Sequence, residues 1–155
     1  MHIRDIFDSP AYSGSYDRSL AAIEDALAAN PTIKIVIDVH RDSILTDDGT
    51  AYKTSCTIDG EEMAQLMFVV GTDEGGLYHP DWQQNLNYVT GLQYQLNRAY
   101  PGLMRPVNLR TQRFNQHVSP GSMLIEVGSS GNTMPEALAA IRLFGQTLAD
   151  DLNGA

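Results

Sequence analysis

The chain has 155 residues, of which 43% are hydrophobic and 19% charged, and its formal net charge is −9. That length suits one domain with room for a two- or three-layer core, and the composition is globular, neither disordered nor fibrous. A pI of about 4.6 with no visible basic patch makes nucleic acid and anionic membrane poor partners. A lone cysteine, Cys56, excludes an intrachain disulfide and a Cys-rich zinc module. The opening residues carry no signal peptide, and no apolar run approaches the roughly 18 residues of a membrane span. The expectation is a cytosolic chain or an excised soluble domain.

Met1 to Ser15 lacks apolar periodicity, and Ser9-Pro10 and Ser13-Gly14-Ser15 are loop chemistry. Leu20, Ile23 and Leu27 recur at helical spacing, so Tyr16 to Ala29 reads as a helix, stopped by Asn30-Pro31. Ile33 to Val39 is a continuous β-branched run that ends in His40-Arg41-Asp42. It reads as a strand buried on both faces, in the middle of a sheet, delivering three polar side chains to the carboxyl edge. Asp38 inside that run needs a partner, because an unpaired buried charge is costly. Ala51 to Ile58 alternates as a half-buried strand, Asp59-Gly60 is a turn, and Met63 to Gly71 is a further strand.

Thr72 to Asp81 is irregular and carries His79. Leu86, Val89, Leu92, Leu96 and Ala99 make one apolar stripe, so Trp82 to Tyr100 is a helix. Arg105 to Arg113 reads as an edge strand that tolerates Pro106. A polar loop holds Asn115, Gln116 and His117, and Met123 to Gly128 is a short buried strand with Glu126 inside it. Thr133 and Glu136 form a capping box that opens a last helix to about Leu152. Helix and strand alternate, giving an α/β fold of three layers with a mostly parallel or mixed sheet.

His40-Arg41-Asp42 is not a kinase catalytic loop, because neither a Gly-rich phosphate loop nor Asp-Phe-Gly accompanies it. G-x-S-x-G, H-E-x-x-H, G-x-x-x-x-G-K and G-x-G-x-x-G are all absent. His40 and Glu126 remain, each near the end of a buried strand. A neutral imidazole there is a good zinc ligand, and a nearby carboxylate can take a proton from bound water. The plainer alternative is a hydrogen-bonded rim histidine, with Glu126 paired to Arg41 or Arg113. Arg41 and Gln116 are candidates for binding a substrate carboxylate or amide. His2 and His79 lie in loops and read as exposed, and Tyr12 and Tyr16 read as packing residues of the first helix.

Several segments resemble, in order, the catalytic domain of the stage II sporulation protein P family: P-A-Y-S-G-S-Y-D-R-S-L, I-V-I-D-V-H-R-D-S, F-V-V-G-T, L-N-R-A-Y-P-G-L, R-F-N-Q-H-V-S-P-G-S-M-L-I-E-V-G and G-N-T-M-P-E-A. The resemblance covers nearly the whole chain and implies one amidase-like domain over 1–155. It implies a zinc-dependent N-acetylmuramoyl-L-alanine amidase acting on peptidoglycan, with endopeptidase cleavage also credited to the family. It further implies a membrane-anchored, extracytoplasmic parent that works in engulfment beside a lytic transglycosylase of SpoIID type. On this resemblance His40 matches a zinc ligand and Glu126 the catalytic glutamate. The family's earlier His-Thr-His-x-Ser-Glu type motif has no counterpart here, so two metal donors are expected to be missing and a central strand with them. The alternative expectation is a non-catalytic cell-wall or protein-binding module that keeps the amidase fold.

Overall fold

The computed structural model describes residues 1–154. Three helices, α1 (Ser15–Ala29), α2 (Trp82–Ala99) and α3 (Met134–Asn153), accompany six strands: β1 (Ile35–Asp42), β2 (Ser55–Ile58), β3 (Glu61–Ala64), β4 (Leu66–Gly71), β5 (Asn108–Arg110) and β6 (Gly121–Ser129). Four strands form one mixed sheet in the order β1-β6-β4-β5. β1 runs parallel to β6, and β4 parallel to β5, while β4 and β6 are antiparallel. The fold is α/β, as the alternation of patterns indicates.

The apolar runs divide by strand alternation. Leu66, Phe68 and Val70 of β4 and Met123, Ile125 and Val127 of β6 face the main core, with Val89, Leu92 and Leu96 of α2 and Ala139, Ala140 and Phe144 of α3. The opposite face carries a smaller cluster, Met67, Val69 and Leu124, with Phe114 packed on it. α1 meets that second face through Tyr16, whose ring is 5.6 Å from Phe114, edge to face. Asn115, held at φ 57, donates from Nδ2 to the Tyr16 carbonyl at 2.7 Å and to Ser19 Oγ at 3.1 Å. The loop after β5 thereby fastens the start of α1.

The strands differ from expectation in several ways: β2 and β5 are shorter than the expected Ala51–Ile58 and Arg105–Arg113, and two further strands are placed differently. The Ile33–Val39 run is not central: β1 bonds only to β6 among the described residues and forms an edge, with Val39 59% exposed. A β-branched run reads alike whether one or two neighbours flank it, so sequence cannot tell edge from centre. The fully buried strand is instead β4, and the continuous Met63–Gly71 pattern is split at Gln65. β3 turns away there to form a hairpin with β2, across Asp59 and Gly60, both at positive φ. The last helix starts as expected: Thr133 Oγ1 accepts from the Glu136 backbone, and Glu136 returns a carboxylate to the Thr133 N–H at 3.0 Å.

Candidate active site

His40 and Glu126 are direct cross-strand partners in the β1–β6 register, near the carboxyl ends of both parallel strands. Alternation puts Asp38, His40, Leu124 and Glu126 on the second face, and Met67 flanks Glu126 on its other side. The ladder then breaks: the register slips between His40 and Asp42, where β6 carries an extra residue at Gly128. Gly128 sits at φ 70, and a side chain there would lie 2.7 Å from Asn132 Oδ1 and 2.8 Å from Ala64. Such a bulge bends the strand just past the glutamate, and pairing resumes out of step at Asp42 and Ser129.

Asp38 takes one of the partners open to it, accepting from His40 Nε2 at 2.9 Å. That bond is the main reason the imidazole pKa is raised; burial opposes it, and the carboxylates of Asp38 and Glu126 add to the rise. Glu126 is raised chiefly by burial, with Asp42 and Asp38 pushing the same way and His40 and Arg105 against. Its Oε2 is buried without a hydrogen-bond partner. Tyr16 covers the pair: its ring stacks on His40 at 6.4 Å and 15°, and burial, then Asp38, drives the phenol pKa upward. Tyr16 is therefore more than a packing residue of α1. The signal was its place in S-G-S-Y-D-R-S-L, where a loop gives way to the first turn of α1.

Arg41 and Gln116 are placed differently from His40 and Glu126. Arg41 donates from Nε to the Ser129 carbonyl at 2.8 Å and also reaches the Asn132 carbonyl, so its guanidinium pins the β6–α3 loop. Asn132 holds the same loop, accepting from Ser129 N at 2.9 Å and donating to the Thr54 carbonyl at 3.0 Å and Glu136 Oε2 at 3.1 Å. Gln116 is 3% exposed, and its amide spans the end of β4, accepting from Gly71 N at 2.9 Å and donating to the Val69 carbonyl at 2.8 Å. Glu126 pairs with neither Arg41 nor Arg113; Arg113 Nη1 donates to the Tyr78 carbonyl at 3.0 Å. His79 is 2% exposed, contrary to its expected exposure as a loop residue, and packs near His117 rather than beside His40.

A metal ion needs several donors that converge on one point. Among the described residues no group of three or more His, Cys, Asp or Glu side chains is placed to hold one. His40 offers one imidazole, already bonded to Asp38, and Glu126 one carboxylate. A catalytic zinc usually takes three protein donors and keeps one position open. The residues present do not complete such a site.

The chain belongs to the stage II sporulation protein P family, whose profile matches residues 1–149. It is 31% identical over 148 residues to stage II sporulation protein P of Bacillus subtilis strain 168, covering 90% of this chain. The chain spans only 34% of that relative's length. No solved structure matches it. Among the described residues no helix is long and apolar enough to cross a membrane.

Proposed function

We propose that this chain is the amidase-like part of a peptidoglycan hydrolase, cutting an N-acetylmuramoyl-L-alanine amide. The observation that carries the reading is the His40–Glu126 pair, side by side on adjacent parallel strands at their carboxyl ends. Glu126 is suited to general-base work: burial lifts its pKa toward working pH, and its unpartnered Oε2 is free to accept a proton from water. The same carboxyl would then hand that proton to the leaving amine. Asp38 fixes the His40 ring, and Tyr16 keeps bulk water from one side of the pair. Endopeptidase cleavage belongs to the same proposal, since both bonds are amides.

The cofactor proposed is Zn2+, held by the longer protein through His40 together with donors outside these 155 residues. An extracytoplasmic, membrane-anchored parent and a partner lytic transglycosylase of SpoIID type belong to the proposal too. A second reading, a non-catalytic cell-wall or protein-binding module, draws on the shortage of metal donors among the described residues. Metal analysis and muropeptide release, run on this chain and on a full-length parent, separate the two. The expected result is no stoichiometric zinc and no release from residues 1–155, with both present in the parent and release lost in Glu126→Ala. A parent that binds the wall, holds no zinc and releases nothing would leave the binding module standing.

A further inference from the structure

A second cluster of buried polar groups lies at the other end of the sheet. His79, between β4 and α2, meets His117 of the short 3-10 turn Gln116–Val118 edge to face, with ring centroids 6.4 Å apart and planes at 78°. With Asn85 of α2 they line a cavity of about 70 Å3, walled also by Tyr78, Pro80, Asp81 and Pro120. His79 Nε2, His117 Nδ1 and Asn85 Oδ1 are all buried and lack any hydrogen-bond partner in the protein. Asn85 is fixed in orientation: its Nδ2 donates to the carbonyls of Ser119 and Ser122 at 2.8 and 2.9 Å and to that of Gln116 at 3.4 Å. Oδ1 is therefore left as an acceptor.

Both imidazoles are held toward their neutral form. Burial, then His117 and Arg113, lowers the His79 pKa against Asp73 and Asp81; burial, then Arg113, lowers that of His117 against Glu24. Each ring can thus present a lone pair. Pro120 immediately precedes β6, and Glu126 follows six residues later, so the cavity lies about 16–20 Å along the strand from the candidate base. It is separate from that site.

We infer that this cavity binds a primary ammonium group on an aliphatic stem, the head of a lysine-type side chain, with His79 Nε2, His117 Nδ1 and Asn85 Oδ1 accepting its three N–H bonds. The spacing of the rings suits such a guest. A ring nitrogen lies about 1.1 Å from its centroid, and a hydrogen bond adds about 2.9 Å, so each arm is about 4.0 Å long. Two such arms spanning 6.4 Å open at about 106°, close to the tetrahedral spread of an ammonium. A zinc ion, with bonds of about 2.1 Å, would need the two rings nearly in line, which its tetrahedral geometry does not take. Asp81 at the wall and the net charge of −9 favour a cation over a neutral guest, while Arg113 works against one. Tyr78, Pro80 and Pro120 supply an apolar wall for the stem.

The test is imidazole 15N chemical shifts of the whole chain, titrated with n-butylammonium and with tetramethylammonium, which has the charge but no N–H. The expected result is a saturable shift of the His79 and His117 ring nitrogens with n-butylammonium alone, and no change at His40. His117→Phe should weaken binding about tenfold or more, and His117→Gln, which keeps an acceptor, by less. Variants are compared only where the backbone spectrum remains that of the folded chain. Absence of saturation in the unmodified protein, an equal response to tetramethylammonium, or saturation by zinc alone would each overturn the inference, the first leaving internal water as the sole occupant.

Discussion

Glu126→Gln separates the charge of the candidate base from its shape. Burial raises this carboxyl above its ordinary value, and Oε2 has no partner to stabilise the anion. A carboxyl with a raised folded pKa contributes stability that is complete below its unfolded pKa of about 4.3 and lost as pH rises through the folded value. His40, raised by Asp38, has the same sign: its contribution is complete below about 6.5 and falls as pH passes its folded pKa. Above both transitions Glu126 is an anion facing a neutral imidazole. Glutamine removes that anion, though it keeps one buried polar atom unsatisfied, so the net gain at pH 8 is about 1 kcal/mol. For a domain of this size that is roughly 2–4 °C in Tm. Circular-dichroism melts at pH 4, 6 and 8 check it. The two proteins should coincide at pH 4, where both side chains are neutral, and diverge at pH 8 with the variant higher. A variant that melts at or below the unmodified protein at pH 8 would refute the uncompensated anion, and with it the raised pKa that suits Glu126 to proton transfer.

Asp38→Asn should lower the His40 pKa, because the carboxylate bond is the chief cause of its rise; histidine titration by NMR reads this directly, and an unchanged value would remove Asp38 as the holder of the ring. Asn132→Ala should cost about 2–4 kcal/mol, since it leaves Ser129 N and the Thr54 carbonyl short of partners in a buried loop, which urea unfolding would measure. Gly128→Val should be worse still in a melt, with a β-branched residue forced to φ 70 and against Asn132 and Ala64.

Much of the layout was legible because hydrophobic period is a local signal. The stripe from Leu86 to Leu96 gave α2, and the Thr133–Glu136 box gave the start of α3 within a residue. The pairing of strands is not local. Nothing in Ile35–Val39 says that one of its edges is bare, and nothing between Met63 and Gly71 says that the chain turns at Gln65. The polar loop misled in a more specific way. Asn115 and Gln116 read as parts of a polar loop, yet both are buried, Asn115 against the first turn of α1 and Gln116 across the end of β4, whose backbone groups need partners. His79 is buried too, which loop composition does not report.

The shortage of metal donors and the bare edge of β1 bear on one another. Glu126 lies on β6, between β1 and β4, so both of its flanks are occupied, by His40 and Met67. Any further donor must therefore approach from beyond His40 or from above the sheet, where Tyr16 already stacks on the imidazole. The unpaired edge of β1 offers the first route: a strand added there would stand about 4.8 Å away, placing its own end residues within reach of the His40 ring. The three other histidines do not supply this. His2 lies in the exposed opening segment, and His79 and His117 pack together at the far end of β6. On the proposed function, metal binding and capping of β1 are thus one event, and zinc should protect the β1 amides from hydrogen exchange only in a protein that carries the added strand.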